Sequence, residues 1–324
     1  MINNNIGIDL GSENIRFYIE KEDRFINNKS IIAVDSNNNE IISYGLDASK
    51  LIEKEPENII LKKPIQKGRI IDIELTVEML KRILKQESSK KRITNPNILV
   101  SYDRNLNEVE KNILVETIKN FGCKNLYLMD SIILSCLGIG MEIEKNQGNM
   151  IIDIGYESTK IGIISSNSII KYKSIPYGGN TFNEKMVSYI RKKYKVLVGY
   201  SSVEKLKKEI DTNEKEISGR DLITGLPTNI KITNNDISNC IYKLIDVLVE
   251  EIKRMLEKVS PEVIKDISEK GIIISGGGSK LKVLREMLEK KLNMPVLITK
   301  CPENNVIEGI KEIFKTDIKR ATKI

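Results

Sequence analysis

The sequence predicts an α/β protein built from two related halves. Short apolar runs that read as strands alternate with amphipathic runs that read as helices. The alternation starts afresh at residue 149. The strand and turn "IGIDLGSEN" (6–14) is also echoed by "IIDIGYES" (151–158): apolar strand, Asp, apolar residue, Gly, polar turn.

In the first half, "IGIDLG" (6–11) is a strand entering a turn, and "IRFYIE" (15–20) alternates like its hairpin partner. "SIIAVD" (30–35) and "EIISYG" (40–45) are strands flanking the turn-rich "SNNN". "LTVEMLKRILKQ" (75–86) has helical spacing at Val77, Leu80, Ile83 and Leu84, and "NILVSY" (97–102) is a strand. A helix through "LNEVEKNILVETIKNFG" stops at Gly122, then come the strand "NLYLMD" (125–130) and an apolar helix through Ile132, Leu134 and Leu137. In the second half, "NMIIDIGYEST" and "KIGIIS" are strand, turn and returning strand. Helices follow at 182–194 and 201–210, then a hairpin-like excursion "EISGRDLITGLPTNIKIT" and a long amphipathic helix at 238–259. "GIIISGGGSKLKVLREMLEKKL" is a buried strand, a Gly turn and a helix; "MPVLIT" is a last strand, with a short helix from about Val306.

Composition excludes several functions. The chain has 324 residues, 40% hydrophobic and 30% charged, enough for one large unit or two domains sharing a cleft. No apolar run approaches the ~18 residues of a membrane span, and "MINNNIGIDLGS" lacks the basic and apolar regions of a signal peptide, so a cytoplasmic protein is expected. With no histidine, His-dependent triads and most zinc sites are out. Cys123, Cys136, Cys240 and Cys301 form no CxxC pair and read as buried, reduced thiols. The net charge of +7 comes from lysines mostly interleaved with glutamates, and the basic stretch 85–97 lacks aromatics, so no nucleic-acid partner is expected.

The repeated turn has a chemical reading. Successive turn amides form a concave anion site, and a carboxylate beside them can hold Mg²⁺ directly or through its waters. Strand periodicity puts Asp9 with Gly11, and Asp153 with Gly155, on one face of each strand end. Two such turns facing each other make a phosphate clamp; either one alone is ordinary turn chemistry. Gly276, Gly277 and Gly278 would let backbone approach a ligand before a helix N-terminus, or would form a plain strand-to-helix turn with Ser279 as N-cap. No G-K-[ST] follows, so this is not a P-loop.

These residues resemble the actin-like ATPases, and within them the MreB-type bacterial actins, over nearly the whole chain. "GIDLGSEN" is similar to the first phosphate loop, "DIGYEST" to the second (usually DIGGGTT), and "GIIISGGGSKL" to the adenosine motif. "GRDLITGLP" (219–227), "IRKKYKVLVG" (190–199) and "SPEVIKDISEKGIIISGGG" (260–278) are similar to the MreB branch in particular. The resemblance implies an actin-like (ribonuclease H-like) fold of two duplicated domains around a nucleotide cleft, each with a small subdomain. The first is expected at 1–145 plus about 312–324 (small subdomain about 33–72), the second at 146–311 (small subdomain about 183–251). It also implies ATP and Mg²⁺ as cofactors and self-assembly into paired protofilaments on the inner face of the cell membrane. Implied partners are another MreB-type protein and cell-shape membrane proteins, with a role in cell shape and wall synthesis. By position, Asp9 and Asp153 would serve the metal. Gly11, Ser12 and Asn14, with Gly155, Tyr156, Glu157 and Ser158, would form the phosphate loops. Glu204 and Lys207 would approach the ribose, Gly276–Gly278 would line the adenosine, and Gly309 would be the last cleft glycine. Apart from the resemblance, Glu204 and Lys207 read as an exposed helical pair.

Three departures modify that expectation. Tyr156 and Glu157 replace two loop glycines, restricting backbone approach to phosphate. At ~4 Å and an effective dielectric of ~20, a unit like-charge pair costs about 4 kcal/mol, so Glu157 must point outward, bind metal or spoil the site. Ser131 stands where the family's "EEP" places its water-positioning Glu, with Asp130 one position off. A serine without a basic partner is no comparable general base, so slow or absent hydrolysis is expected. Finally, the loop that inserts into lipid in the family is here "SSKKRITNPN", where Lys90, Lys91 and Arg92 would hold an anionic surface or simply be solvated. The alternatives are a working filament-forming ATPase, with water placed by Asp130 or Ser131, and a non-polymerising actin-fold regulator.

Overall fold

Strand β1 (Asn5–Leu10) opens the first unit and turns back into β2 (Asn14–Ile19), which pairs with β3 (Arg24–Lys29). The structure, a computed structural model, describes residues 4–87, 95–209 and 214–324. There follow β4 (Ile32–Asp35), β5 (Ile41–Tyr44), α1 (Gly45–Ser49), β6 (Ile59–Lys62), β7 (Ile65–Gln66), β8 (Arg69–Ile70) and α2 (Ile73–Glu87). The half continues with β9 (Asn97–Tyr102), α3 (Glu108–Phe121), β10 (Asn125–Asp130) and α4 (Ser131–Gly138). Asn107 and Glu110 close a capping box at the start of α3, and Gly122 ends it at φ 111°.

The second unit runs through β11 (Asn149–Ile154), β12 (Thr159–Ser165), β13 (Ser168–Ile175), α5 (Gly179–Tyr194), β14 (Val196–Leu197) and α6 (Tyr200–Glu209). It continues with β15 (Glu214–Asp221), β16 (Pro227–Thr233), α7 (Asn234–Leu256), α8 (Pro261–Lys270), β17 (Ile272–Ser275), α9 (Lys282–Leu292) and β18 (Val296–Ile298). α10 (Asn305–Thr316) and β19 (Thr322–Lys323) then return to the first unit. The units are Met1–Glu142 with Asn304–Ile324, and Ile143–Glu303. Residues 304–311, expected in the second domain, therefore fall in the first, because α10 packs along α4.

The two main sheets repeat one topology. In the first, β10, β9 and β1 run parallel, while β2 and β3 extend it antiparallel in the order β10-β9-β1-β2-β3, with β19 added outside β10. In the second, β18, β17 and β11 are parallel, while β12 and β13 are antiparallel, in the order β18-β17-β11-β12-β13. The duplication suggested by "IGIDLGSEN" and "IIDIGYES" is thus a duplication of sheet order and direction. β11 is buried along its whole length, as a central strand covered on both faces requires.

Each unit has its own core. Ile6, Ile8, Phe17, Leu80, Ile98 and Val100 anchor one side of the first sheet; Leu99, Leu134, Ile310 and Phe314 anchor the other. In the second, Ile152, Ile161 and Ile274 pack with Phe182, Ile241 and Leu284. Cys136 is buried as expected, but Cys301 is exposed, because it lies in the loop after β18 rather than on a packed face. Burial pushes the Cys240 thiol up to about 12.

Candidate functional site

The two repeated turns close in the same way. Gly11 N donates to Asn14 O at 3.1 Å, and Gly155 N donates to Ser158 O at 2.9 Å. A Cβ on Gly11 would lie 2.5 Å from Asn14 O, so the bond itself demands glycine there.

In the first unit, Asp9 is the penultimate residue of β1 and accepts from Ser101 Oγ at 2.7 Å on β9. Arg16 faces it across the hairpin, Nη1 to Oδ2 at 3.6 Å, with its Nε buried and unpartnered. Ser12 is buried; its Oγ accepts from Gly68 N at 3.0 Å, which leaves the hydroxyl proton to donate elsewhere. Glu13 is held by Lys29 (2.7 Å) and Lys63 (3.3 Å). Sequence reasoning missed Arg16. The signal was present: seven residues beyond Asp9, a tight hairpin places it directly opposite, and Lys160 stands in the same register opposite Asp153.

Asp130 caps α4 by accepting from Ile132 N at 2.9 Å, and its other oxygen accepts from Arg104 Nε at 3.0 Å. It is buried, as is Ser131 in the first turn of the helix. Gly309 lies on α10, where a Cβ would come within 2.6 Å of the carbonyl carbon of Leu134 on α4. Its lack of a side chain thus serves a helix–helix contact.

In the second unit, neither Tyr156 nor Glu157 has positive φ, so this backbone path does not itself require glycine. The carbonyls of Gly155 and Tyr156 accept from Gly179 N (2.9 Å) and Asn180 N (2.7 Å), binding the loop to the first turn of α5. Gly179 O in turn accepts from Lys207 Nζ at 3.1 Å. Lys207 is buried and pairs with Glu204 at 2.6 Å, and Glu204 also accepts from Asn183 Nδ2 at 2.6 Å. The expectation of an exposed pair is corrected: α5 lies over it, and Gly179 links the loop to Lys207. Local i,i+3 spacing could not reveal this.

Gly276 sits at φ 79° and donates to Pro302 O at 2.9 Å; a Cβ would meet the Ile154 backbone at 2.6 Å. Gly278 is equally confined, its Cβ position lying 3.1 Å from Ile154 O. Gly277 differs: it is exposed, and nothing lies within 4 Å of its Cβ position. Ser279 is not the N-cap of α9. Its Oγ donates to Gly276 O at 2.7 Å within a 3₁₀ turn, and α9 starts after Leu281.

Among the described residues no group of three or more Asp, Glu, His or Cys side chains is gathered to hold a metal. Each unit offers one aspartate beside a turn. That donor set suits Mg²⁺, which keeps several waters and takes one or two carboxylates along with substrate phosphates. The open space at Gly277 likewise suits close approach of a ligand to backbone. Lys90, Lys91 and Arg92 lie outside the described residues.

The duplicated sheets and paired turns define an actin-like protein. The structure matches MreB5 of Spiroplasma citri bound to AMPPNP with a TM-score of 0.92 and 29% identity, covering 99% of this chain and 98% of that one. It matches a MamK double helical filament at a TM-score of 0.79 and 15% identity, with 96% and 99% covered, a likeness of fold. The family model for MreB/Mbl protein matches residues 3–322. The chain is 32% identical over 316 residues to the cell shape-determining protein Mbl of Bacillus subtilis (strain 168), covering 95% of each, and 28% identical over 321 residues to MreB of Escherichia coli (strain K12), covering 95% and 92%. The chain belongs to the MreB/Mbl family.

Proposed function

We propose that this chain is a cytoskeletal protein of cell shape that binds ATP with Mg²⁺, assembles with copies of itself into filaments at the inner membrane face, and hydrolyses nucleotide slowly or not at all. The observation that carries the reading is the pair of turns, each closed by the same backbone bond beside an aspartate, at the positions that the resemblance assigns to the phosphate loops. Relatives support the rest: MreB5 of Spiroplasma citri has been seen with AMPPNP and with ADP, and Mbl and MreB are cell shape-determining proteins.

In this reading, Asp9 and Asp153 would serve the metal and its waters, and the metal would supply positive charge against the phosphates. The Ser12 hydroxyl donates to a phosphate oxygen while Gly68 N fixes its orientation. Lys207 and Glu204 hold the start of α5, and through Gly179 the second loop, besides facing the ribose. Arg16 places a fixed positive charge beside the first turn. Asp130 is committed to the α4 cap and Arg104, so it is poorly placed to orient water, and Ser131 has no carboxylate of its own to do so. Members of a standard wall-synthesis machinery and a second MreB-type protein are the partners this role calls for.

Pelleting and negative-stain microscopy with and without Mg-ATP, together with phosphate release from the pelleted material, test the reading. Filaments with little phosphate release are expected. Turnover at the rate of ordinary family members would show that water is positioned despite Ser131. Absence of both filaments and nucleotide binding would leave an actin-fold regulator.

A second measurement isolates the adenosine side. Gly277→Ala adds a methyl group where the fold leaves space, so ATP affinity should fall about tenfold, or about 1.4 kcal/mol, with thermal stability unchanged. Equal affinity for both proteins by calorimetry would remove Gly277 from the site.

A further inference from the structure

The "GRDLITGLP" segment forms the tip of the β15–β16 hairpin, and nothing in the nucleotide chemistry uses it. Leu222, Ile223 and Leu226 are 41%, 83% and 64% exposed, and all six residues from Leu222 to Pro227 are exposed. Large aliphatic side chains held out together in this way mark a surface that meets something apolar.

The backbone shows what kind of surface. Leu222 N donates to Lys195 O at 2.8 Å. Ile223 N and Thr224 N donate to Asp221 Oδ1 at 2.7 and 2.8 Å. Gly225 N, on a residue with φ 76°, donates to Asp221 O at 2.9 Å, and Leu226 N donates to Thr224 Oγ1 at 3.3 Å. Residue 227 is proline and has no N–H. Every amide donor from 222 to 227 is therefore satisfied inside the molecule, which water does not require and hydrocarbon does. The same bonds leave no donor for a partner's strand to pair with. The shoulders of the tip are cationic: Lys195 and Arg220 are exposed beside it, and Arg191 and Lys192 lie in the last turn of α5. The carboxylate at the tip, Asp221, is turned onto the two amides.

We propose that this tip docks the protein on anionic lipid, inserting Leu222, Ile223 and Leu226 among the acyl chains while Arg191, Lys192, Lys195 and Arg220 meet the headgroups. Apolar tips with basic flanks bind anionic interfaces by this combination. The inference rests on the membrane association proposed above and names the element that makes contact, one distinct from Lys90, Lys91 and Arg92.

The chain has no tryptophan, so I223W provides a single clean reporter. On adding vesicles of phosphatidylcholine with one third phosphatidylglycerol, its emission should shift to the blue and be quenched by brominated acyl chains. Phosphatidylcholine alone should give little change. In co-sedimentation, the exposed double variant Ile223→Ser/Leu226→Ser should lose about tenfold in lipid affinity, and Lys195→Gln/Arg220→Gln should weaken the salt dependence. If the protein sediments with anionic vesicles while I223W keeps its emission in water, the tip is not the contact, though membrane association stands. If wild-type protein binds no vesicle, both ideas fail. If the serine variant loses vesicle-free pelleting instead, the tip is a subunit contact and the lipid assignment is overturned.

Discussion

Gly309→Ala is expected to destabilise the first unit by about 3 kcal/mol, the upper end of what overpacking a close-fitted interface costs. On an exposed helix the same change would stabilise by about 1 kcal/mol through helix propensity. Packing decides the sign here. The new methyl group would press on the Leu134 carbonyl, which is backbone, and backbone inside a helix cannot swing aside as a side chain can. Gly138 answers from the other side: its Cβ position lies 2.7 Å from Gly309 N and within 2.9 Å of the Asn305 carbonyl carbon. The two glycines let α4 and α10 approach until their backbones touch. Gly138→Ala should therefore cost a similar amount, and the double variant less than the sum, because either change already separates the helices. Urea unfolding followed by circular dichroism would measure it; a midpoint equal to that of wild type would show that the helices can part at no cost.

Asp236 is the second position where one atom group should matter greatly. It is 3% exposed at the start of α7, where it accepts from Tyr189 Oη and Tyr194 Oη at 3.0 Å each, from Thr233 N at 2.9 Å, from Thr233 Oγ1 at 2.8 Å, and from the Lys193 ammonium. With Thr233 it also completes a capping box. Asp236→Ala removes the reciprocal half of the capping box, leaving Thr233 N without its side-chain acceptor, and leaves two tyrosine hydroxyls without theirs, so a loss of about 3 kcal/mol is expected. Burial alone would raise the carboxyl's pKa. The Lys193 ammonium and the Thr233 and Tyr189 donors outweigh it and hold the carboxyl well below the usual range. A folded value below the unfolded one, ~3.9, means that the unfolded chain binds the extra proton. The contribution is therefore present in full above about pH 5 and fades as pH falls through about 4 and below. Asp236→Asn should lower stability at pH 7 and flatten the acid limb of the stability curve. An acid limb as steep as that of wild type would place the titrating group elsewhere.

The order of strands and helices was legible because it rests on local periodicity, and the echo of Asp9–Gly11 in Asp153–Gly155 was legible because a tight turn is a local event. What could not be read is what the second partner of each residue does. Gly309 sits in a helical run with no local reason to be glycine, and the reason lies on α4, far back in the chain. Lys207 and Glu204 carry the spacing of a solvated pair, and only the placement of α5 over them makes Lys207 a buried donor to Gly179. Asp130 looked like a displaced catalytic group, yet its bonds to Ile132 and Arg104 are those of a helix cap. Two-residue strands such as β7 and β8 carry too few side chains for any period to show, although their turn at Gly68 is what orients Ser12.

The path of the chain bears on how the molecule is made. Tyr18, Leu99 and Leu134 are synthesised early, but the side chains that cover them, Val306, Ile310, Ile313 and Phe314, come last, after all of 143–303. During translation the second unit can finish as one uninterrupted stretch while the first still shows a bare oily flank to solvent. Maturation of the early half must therefore wait for the late residues, and that interval is when a nascent chain most needs shielding from its neighbours.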